Sequence, residues 1–279
     1  MERPRNAPTR AQSRDTRRPR SGSARRGAQV TGGAPPRRDD AAPAFYALGG
    51  GGWRDYVTLL HLPYTAWHLG YVVLGAALAP AVQLDRLAGT FLAFFLALGI
   101  GVHALDELNG RPMRTRIPPF VLRALGALGL GAAVALGVAA ISVVGAGLLV
   151  FVAIGLVLAL AYPLELARGR LHGDLWFALG WGAFPLVVSY WVQAGELGLA
   201  AAAGAGYAVA LSYAQRRLST WVRRLRRHVT SASGELLEAD GTRHALDRAA
   251  LIAAPESALR WLAWTSVLVA LAALAARLA

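Results

Sequence analysis

Near the middle of the chain an apolar run ends in GVHALDELNGRPMRTRIP, residues 101–118. There His103, Asp106, Glu107 and Asn109 give way to Arg111, Arg114 and Arg116. Carboxylates beside guanidinium groups suit a metal ion held against a phosphorylated ligand, because metal and arginine both neutralise phosphate oxygens. His103, Asp106 and Glu107 are the candidate metal ligands, His103 lying one helical turn before Glu107. Asp106 and Glu107 are also the candidate catalytic acids, and Arg111 and Arg116 the phosphate partners. An acidic cluster at a helix end beside arginines serves equally well as an ion network that closes a bundle, and both roles stand open at this point.

A second basic stretch, residues 218–229, sets Leu218, Trp221, Val222, Leu225 and Val229 opposite Arg223, Arg224, Arg226 and Arg227. That pattern predicts a helix lying in the membrane surface, apolar face down, with its guanidinium groups among lipid phosphates. Arg216 and Arg217 precede it and, with Arg223, could clamp a diphosphate from a different part of the chain than Asp106 and Glu107. His61 and His68 fall inside an apolar segment, where they hydrogen-bond to neighbouring helices or line a polar cavity. Asp174 is placed to cap a helix beginning at Leu175.

The elements that must position these groups are transmembrane helices. Of 279 residues 55% are hydrophobic and the mean hydropathy is +0.41, with the apolar residues gathered in long blocks. The blocks at 56–79, 86–105, 120–141, 144–162, 175–193, 197–213 and 259–278 each approach the ~20 residues a helix needs to cross hydrocarbon. None alternates as the strands of a membrane barrel would. The expected fold is therefore an all-α polytopic bundle of about seven spans. Ser231 to Asp240 reads as a flexible acidic connection, and 244–253 as a short helix ending before Pro255.

Residues 1–52 hold eleven arginines among Pro, Ser, Gly and Ala, a composition that cannot bury enough apolar area to fold alone. They read as a disordered basic tail that fixes topology and touches anionic lipid rather than binding nucleic acid specifically. With no short apolar core and small-residue cleavage site near Met1, a cleaved signal peptide is not expected. With the tail inside, the joints carrying Arg111 to Arg116, Arg168 to Arg170 and Arg216 to Arg227 all share its side, while the opposite joints hold one arginine between them. This predicts a cytoplasmic N terminus and a polar cap on one face of the bundle. The organisation expected is a tail at 1–52, a six-span core at 53–214, a cytoplasmic amphipathic segment at 215–257 and a final span at 258–279. The chain has no cysteine, so disulfides and thiolate metal sites are excluded.

Two of these joints resemble the UbiA superfamily of intramembrane prenyltransferases. YPLELARGRLHGDLWFALGWGAFPLV, residues 162–187, is similar to that family's Tyr-Ser-x-Pro-Pro span end, basic Gly-containing turn and Ala-Leu-Gly-x-Gly helix. His103-Ala-Leu-Asp106-Glu107-Leu-Asn109 stands where the family carries its first aspartate-rich motif, and the following Arg-Pro turn is also similar. The place of the second aspartate-rich motif holds Arg216, Arg217, Arg223 and Arg224 instead of carboxylates, and the spans number fewer than the family's nine. The resemblance covers roughly 56–213. It implies a UbiA-like fold, an isoprenoid or similar lipid-like substrate, Mg2+ near Asp106, and Tyr162, Arg170 and Arg216 among the substrate-binding residues.

What this implies is transfer of an isoprenyl group from a prenyl diphosphate to an acceptor the sequence does not name. A noncatalytic binding or scaffold protein that keeps the fold without the second acidic motif is the alternative, and a small transporter a third. No P-loop, dinucleotide fingerprint, nucleophile elbow or His-Glu-x-x-His motif occurs.

Overall fold

The computed structural model describes residues 42–279, so the expectations for residues 1–41 lie outside the described part. Residues 42–52, expected to be unstructured, are folded onto the helices. Leu48 N–H donates to Thr58 Oγ1 and Gly51 N–H to Asp55 Oδ1, both at 3.0 Å. The cause is a local anchor that composition averages hide: Phe45 and Tyr46 pack edge-on against Tyr64, ring centres 6.4 and 5.4 Å away.

The chain is predominantly helical. Helix α1 is Trp53–Leu59, α2 Leu62–Leu78, α3 Leu84–Leu108, α4 Pro119–Val144 and α5 Leu148–Ala161. Helix α6 is Asp174–Ala194, α7 Leu199–Arg227 and α8 Arg248–Leu278. Strands β1, Glu235–Leu237, and β2, Arg243–Ala245, form an antiparallel hairpin before α8. Among the described residues, four helices (α3, α4, α6 and α8) are long and apolar enough to cross a membrane. Phe120, Leu128 and Val138 of α4 and Trp261, Trp264, Leu268 and Leu271 of α8 are exposed. An outer surface so apolar suits lipid rather than water.

Several boundaries differ from those expected. The first apolar block breaks at His61, whose left-handed backbone (φ 46°) separates α1 from α2. The surface helix expected at 218–229 is the continuation of α7, which runs unbroken for 29 residues. Helix α8 passes straight through Pro255, and the cut at 257 with it. Arg226 and Arg260 both hold the neighbouring Glu256, which stabilises the turn where proline removes a backbone donor. The connection expected to be flexible contains β1.

Helix α2 is the centre of the packing. Trp67, Tyr71 and Leu74 lie against Leu186 of α6, Ala208 of α7 and Ala263 and Ala270 of α8. Inside this greasy contact the polar atoms are matched. Trp67 Nε1 donates to the Tyr71 hydroxyl at 2.7 Å, that hydroxyl shares a hydrogen bond with Ser212 Oγ at 3.0 Å, and Ser266 Oγ donates to the Trp67 carbonyl at 3.2 Å. Three helices are thereby tied through buried bonds that no water can replace. Helix α2 also meets α6 backbone to backbone. A methyl at Gly75 would lie 2.2 Å from the Leu186 carbonyl oxygen, so glycine alone permits the approach.

Helix α3 contains a π-helical segment, Phe95–Val102, and α6 another, Ala178–Ala183. Both supply walls to one cluster, in which Leu98 and Val102 pack with Tyr162, Phe177 and Trp181. Such wide turns recur where a helix must re-aim side chains at a site.

Candidate functional site

The C-terminal end of α3 delivers two adjacent carboxylates to different environments. Glu107 is 1% exposed. One oxygen accepts from Met113 N–H at 2.9 Å; the other accepts from Thr115 N–H at 2.8 Å and Thr115 Oγ1 at 2.9 Å. The carboxylate is thus the post around which the loop to α4 winds. Arg111 and Arg114 adopt left-handed backbones (φ 52° and 56°) to make that winding possible. Arg111, read from sequence as a phosphate partner, instead directs its Nη1 to the Thr115 and Ile117 carbonyls at 3.0 and 2.7 Å. Arg116 fixes the loop through its backbone N–H, which donates to Asp55 Oδ2 at 2.8 Å. Asn109 Nδ2 completes the anchorage on the Pro163 carbonyl at 2.8 Å.

Asp106 has no such employment. It is half-buried and, among the described residues, its carboxylate forms no hydrogen bond or ion pair; the charged and titratable groups acting on it are His172, Arg227, Glu107 and Arg223. His103, a turn earlier, stacks on His61 with ring centres 4.1 Å apart and directs Nδ1 to the Gly99 carbonyl at 3.3 Å. Among the described residues no three His, Asp or Glu side chains converge as a ready-made metal site. With Glu107 committed to backbone donors, Asp106 is the one of these two adjacent carboxylates left able to contact a ligand or a metal ion.

The opposing charge comes from one face of α7. Arg216, Arg223 and Arg227 are spaced by seven and four residues, which stacks them along the helix. Arg216 donates from Nε to Asp174 Oδ1 and from Nη2 to the His172 carbonyl, both at 3.3 Å. Its guanidinium lies 5.3 Å from the Phe177 ring centre and 5.9 Å from that of Tyr162. Asp174 is therefore an ion-pair partner of Arg216 as well as the first residue of its helix.

Arg223 and Arg227 meet only neutral acceptors among the described residues. Arg223 donates to Ser219 Oγ at 3.1 Å and Thr220 Oγ1 at 2.9 Å. Arg227 reaches the Pro43 carbonyl at 3.5 Å and Met113 Sδ at 3.8 Å. Burial, then the like charges of Arg216 and Arg227, lower the pKa of Arg223; burial lowers that of Arg227, with Tyr46 and Asp106 opposing. Both remain cationic, and a half-buried cation without an anion is partly desolvated with no opposite charge to offset that cost.

Aromatic groups close the cluster. Tyr46 packs 5.5 Å from His61. Burial and neighbouring Tyr64 push the Tyr46 hydroxyl pKa well up; burial, His103 and the two arginines push His61 well down. Tyr162 lies against His172 at 4.3 Å and Trp181 at 4.4 Å. Its hydroxyl, His68 Nδ1 and Gln215 Oε1 are buried without a partner among the described residues, which leaves buried polar atoms for something else to satisfy.

Of the residues expected from sequence, Asp106, Tyr162 and Arg216 share one neighbourhood: the charges of both Arg216 and Asp106 act on Tyr162. His103 borders it through His61. Glu107, Arg111 and Arg116 hold the adjoining loop, and Arg170 is exposed in the turn after Ala167–Gly169. Sequence reasoning missed Tyr46 and Arg227. The arginine spacing on α7 was a usable signal for the latter; nothing in the composition of residues 42–52 pointed to the former. No family model, curated protein or solved structure matches this chain.

Proposed function

We propose that the chain is a divergent UbiA-like intramembrane prenyltransferase. In this reading it crosses the bilayer about seven times, with the arginine-rich rim in the cytoplasm and an unknown acceptor for its isoprenyl group. One observation carries the proposal: Arg223 and Arg227 are half-buried beside Arg216, with hydroxyl, carbonyl and thioether partners, facing an uncommitted Asp106. Three guanidinium groups so placed call for a multiply charged anion, and diphosphate fits them.

When an allylic diphosphate ionises, the bond between carbon and bridging oxygen breaks and the electron pair leaves with the diphosphate. Arg216, Arg223 and Arg227 would neutralise the charge that builds there without reorganising. Tyr162 and Trp181, ring centres 4.4 Å apart and Tyr162 beside Arg216, would supply aromatic surface near the carbon left electron-poor. Magnesium, when bound, would spread phosphate charge further, with Asp106 as its protein contact. The resemblance at 162–187 and at 103–109 supports the fold assignment behind this reading.

Glu107 favours a second reading. Its structural use, together with arginines where the family has its second acidic motif, suits a noncatalytic protein that binds an anionic isoprenoid without cleaving it. Release of diphosphate from a prenyl diphosphate, followed with the full chain in detergent and a panel of phenolic and alcohol acceptors, decides between the two. The enzyme reading predicts release that Asp106→Asn abolishes. Binding with no release under any acceptor supports the second reading, and absence of both binding and release rejects both.

A further inference from the structure

The arginine cluster lies at the C-terminal end of α3, whereas an apolar cavity in the described bundle has its polar lining at the other end of that helix. Arg86 and Asp106 are twenty residues apart on one continuous helix, a rise of about 30 Å. The cavity, of about 380 Å³, runs between α3, α4, α5 and α6. Its walls are almost wholly apolar, with small side chains such as Ala93, Ala133 and Ala140 leaving the room. Leu98, Ala159 and Trp181 stand at the end nearer the arginine cluster. Asp85, Arg86 and Thr90 supply polarity at the opposite end.

We propose that this slot holds one acyl chain of an aminophospholipid, with the lipid phosphate on Arg86 and its ammonium on Asp85. The Arg86 guanidinium is already held at the mouth, where Nη1 donates to the Val192 carbonyl at 3.0 Å and Nη2 to the Val143 carbonyl at 3.4 Å, between the ends of α6 and α4. Its Nε is buried and has no partner among the described residues, an N–H that a phosphate oxygen would satisfy. Asp85 lines the same mouth without pairing with Arg86 among the described residues. A plain anionic headgroup would leave that carboxylate repelled, whereas a headgroup carrying phosphate and ammonium matches both signs. The lipid sits away from the diphosphate site and does not depend on prenyl transfer being the reaction.

The test is native mass spectrometry of the full chain after delipidation and exposure to equal amounts of phosphatidylethanolamine and phosphatidylglycerol. One tightly held lipid is expected, with phosphatidylethanolamine favoured about fivefold, the value of one exposed ion pair. Asp85→Asn should remove the preference but keep the lipid. Ala133→Phe or, if that variant melts early, Ala140→Phe should remove the lipid. The proposal is overturned if no lipid is retained, if filling the slot leaves retention unchanged, or if the two headgroups bind alike in the parent chain. It is overturned as well if slot filling abolishes prenyl diphosphate binding instead, since the cavity would then belong to the arginine site.

Discussion

Glu107 accepts the backbone N–H of Thr115 at 2.8 Å, and that bond decides how the neighbouring Asp106 is employed. Glu107 accepts three hydrogen bonds from the loop to α4, and Asp55 and backbone carbonyls take others, which leaves the Asp106 carboxylate uncommitted in front of Arg223 and Arg227.

The two acids should therefore respond oppositely to the same amide substitution. Glu107→Gln places an NH2 against a backbone donor in a buried site and is expected to cost about 1–3 kcal/mol of stability. Asp106→Asn is expected to change stability by less than about 0.5 kcal/mol and to act on ligand instead. Thermal melting of both variants in one detergent is the measurement. Equal melting losses would mean that Asp106 is also a structural group.

Acid should loosen the cap through His61. Burial, His103 and two arginines hold its folded pKa well below the ordinary value, so the folded state keeps it neutral. An unfolded chain takes up the proton near pH 6.5. The stability His61 contributes is accordingly complete above that pH and declines as pH falls from there toward the folded pKa. Melting curves between about pH 8 and pH 5 should show the decline, and His61→Gln should make it shallower. A decline of equal slope in the variant would assign the acid sensitivity to other groups.

Where α2 meets α6, Gly75→Ala would force a methyl to 2.2 Å from the Leu186 carbonyl. The helices must separate, at a cost of about 1–3 kcal/mol. Gly206→Ala, at a position open on all sides, is the control and should leave the melting temperature unchanged or raise it. A fall for Gly206→Ala matching that of Gly75→Ala would show that the loss is not contact-specific.

Much of the fold was legible because hydrophobic blocks and their ends are written in composition. Blocks at 120–141 and 175–193 became Pro119–Val144 and Asp174–Ala194 with little change. The break at His61 was not legible, since a left-handed histidine held by stacking on His103 has no signature in a run of apolar residues. Helix α7 outran its expected end because Arg223 and Arg227 sit half-buried at the polar rim, where amphipathicity alone reads the same residues as lipid-facing. At the site, Asp106, Tyr162 and Arg216 were foreseeable from motif position and charge. The duties of Glu107 and Arg111 were not, because their partners are backbone atoms of a loop whose path no spacing rule supplies.

The central claim is that Arg223 and Arg227 seat a diphosphate. Isothermal titration of the full chain with farnesyl diphosphate, with and without magnesium, tests it most directly, with farnesol as the uncharged control. The account predicts binding of the diphosphate, weak or no binding of the alcohol, and a loss of about tenfold or more in affinity for each of Arg223→Ala and Arg227→Ala. Equal affinity for diphosphate and alcohol, or diphosphate binding that survives the double substitution unchanged, would contradict it.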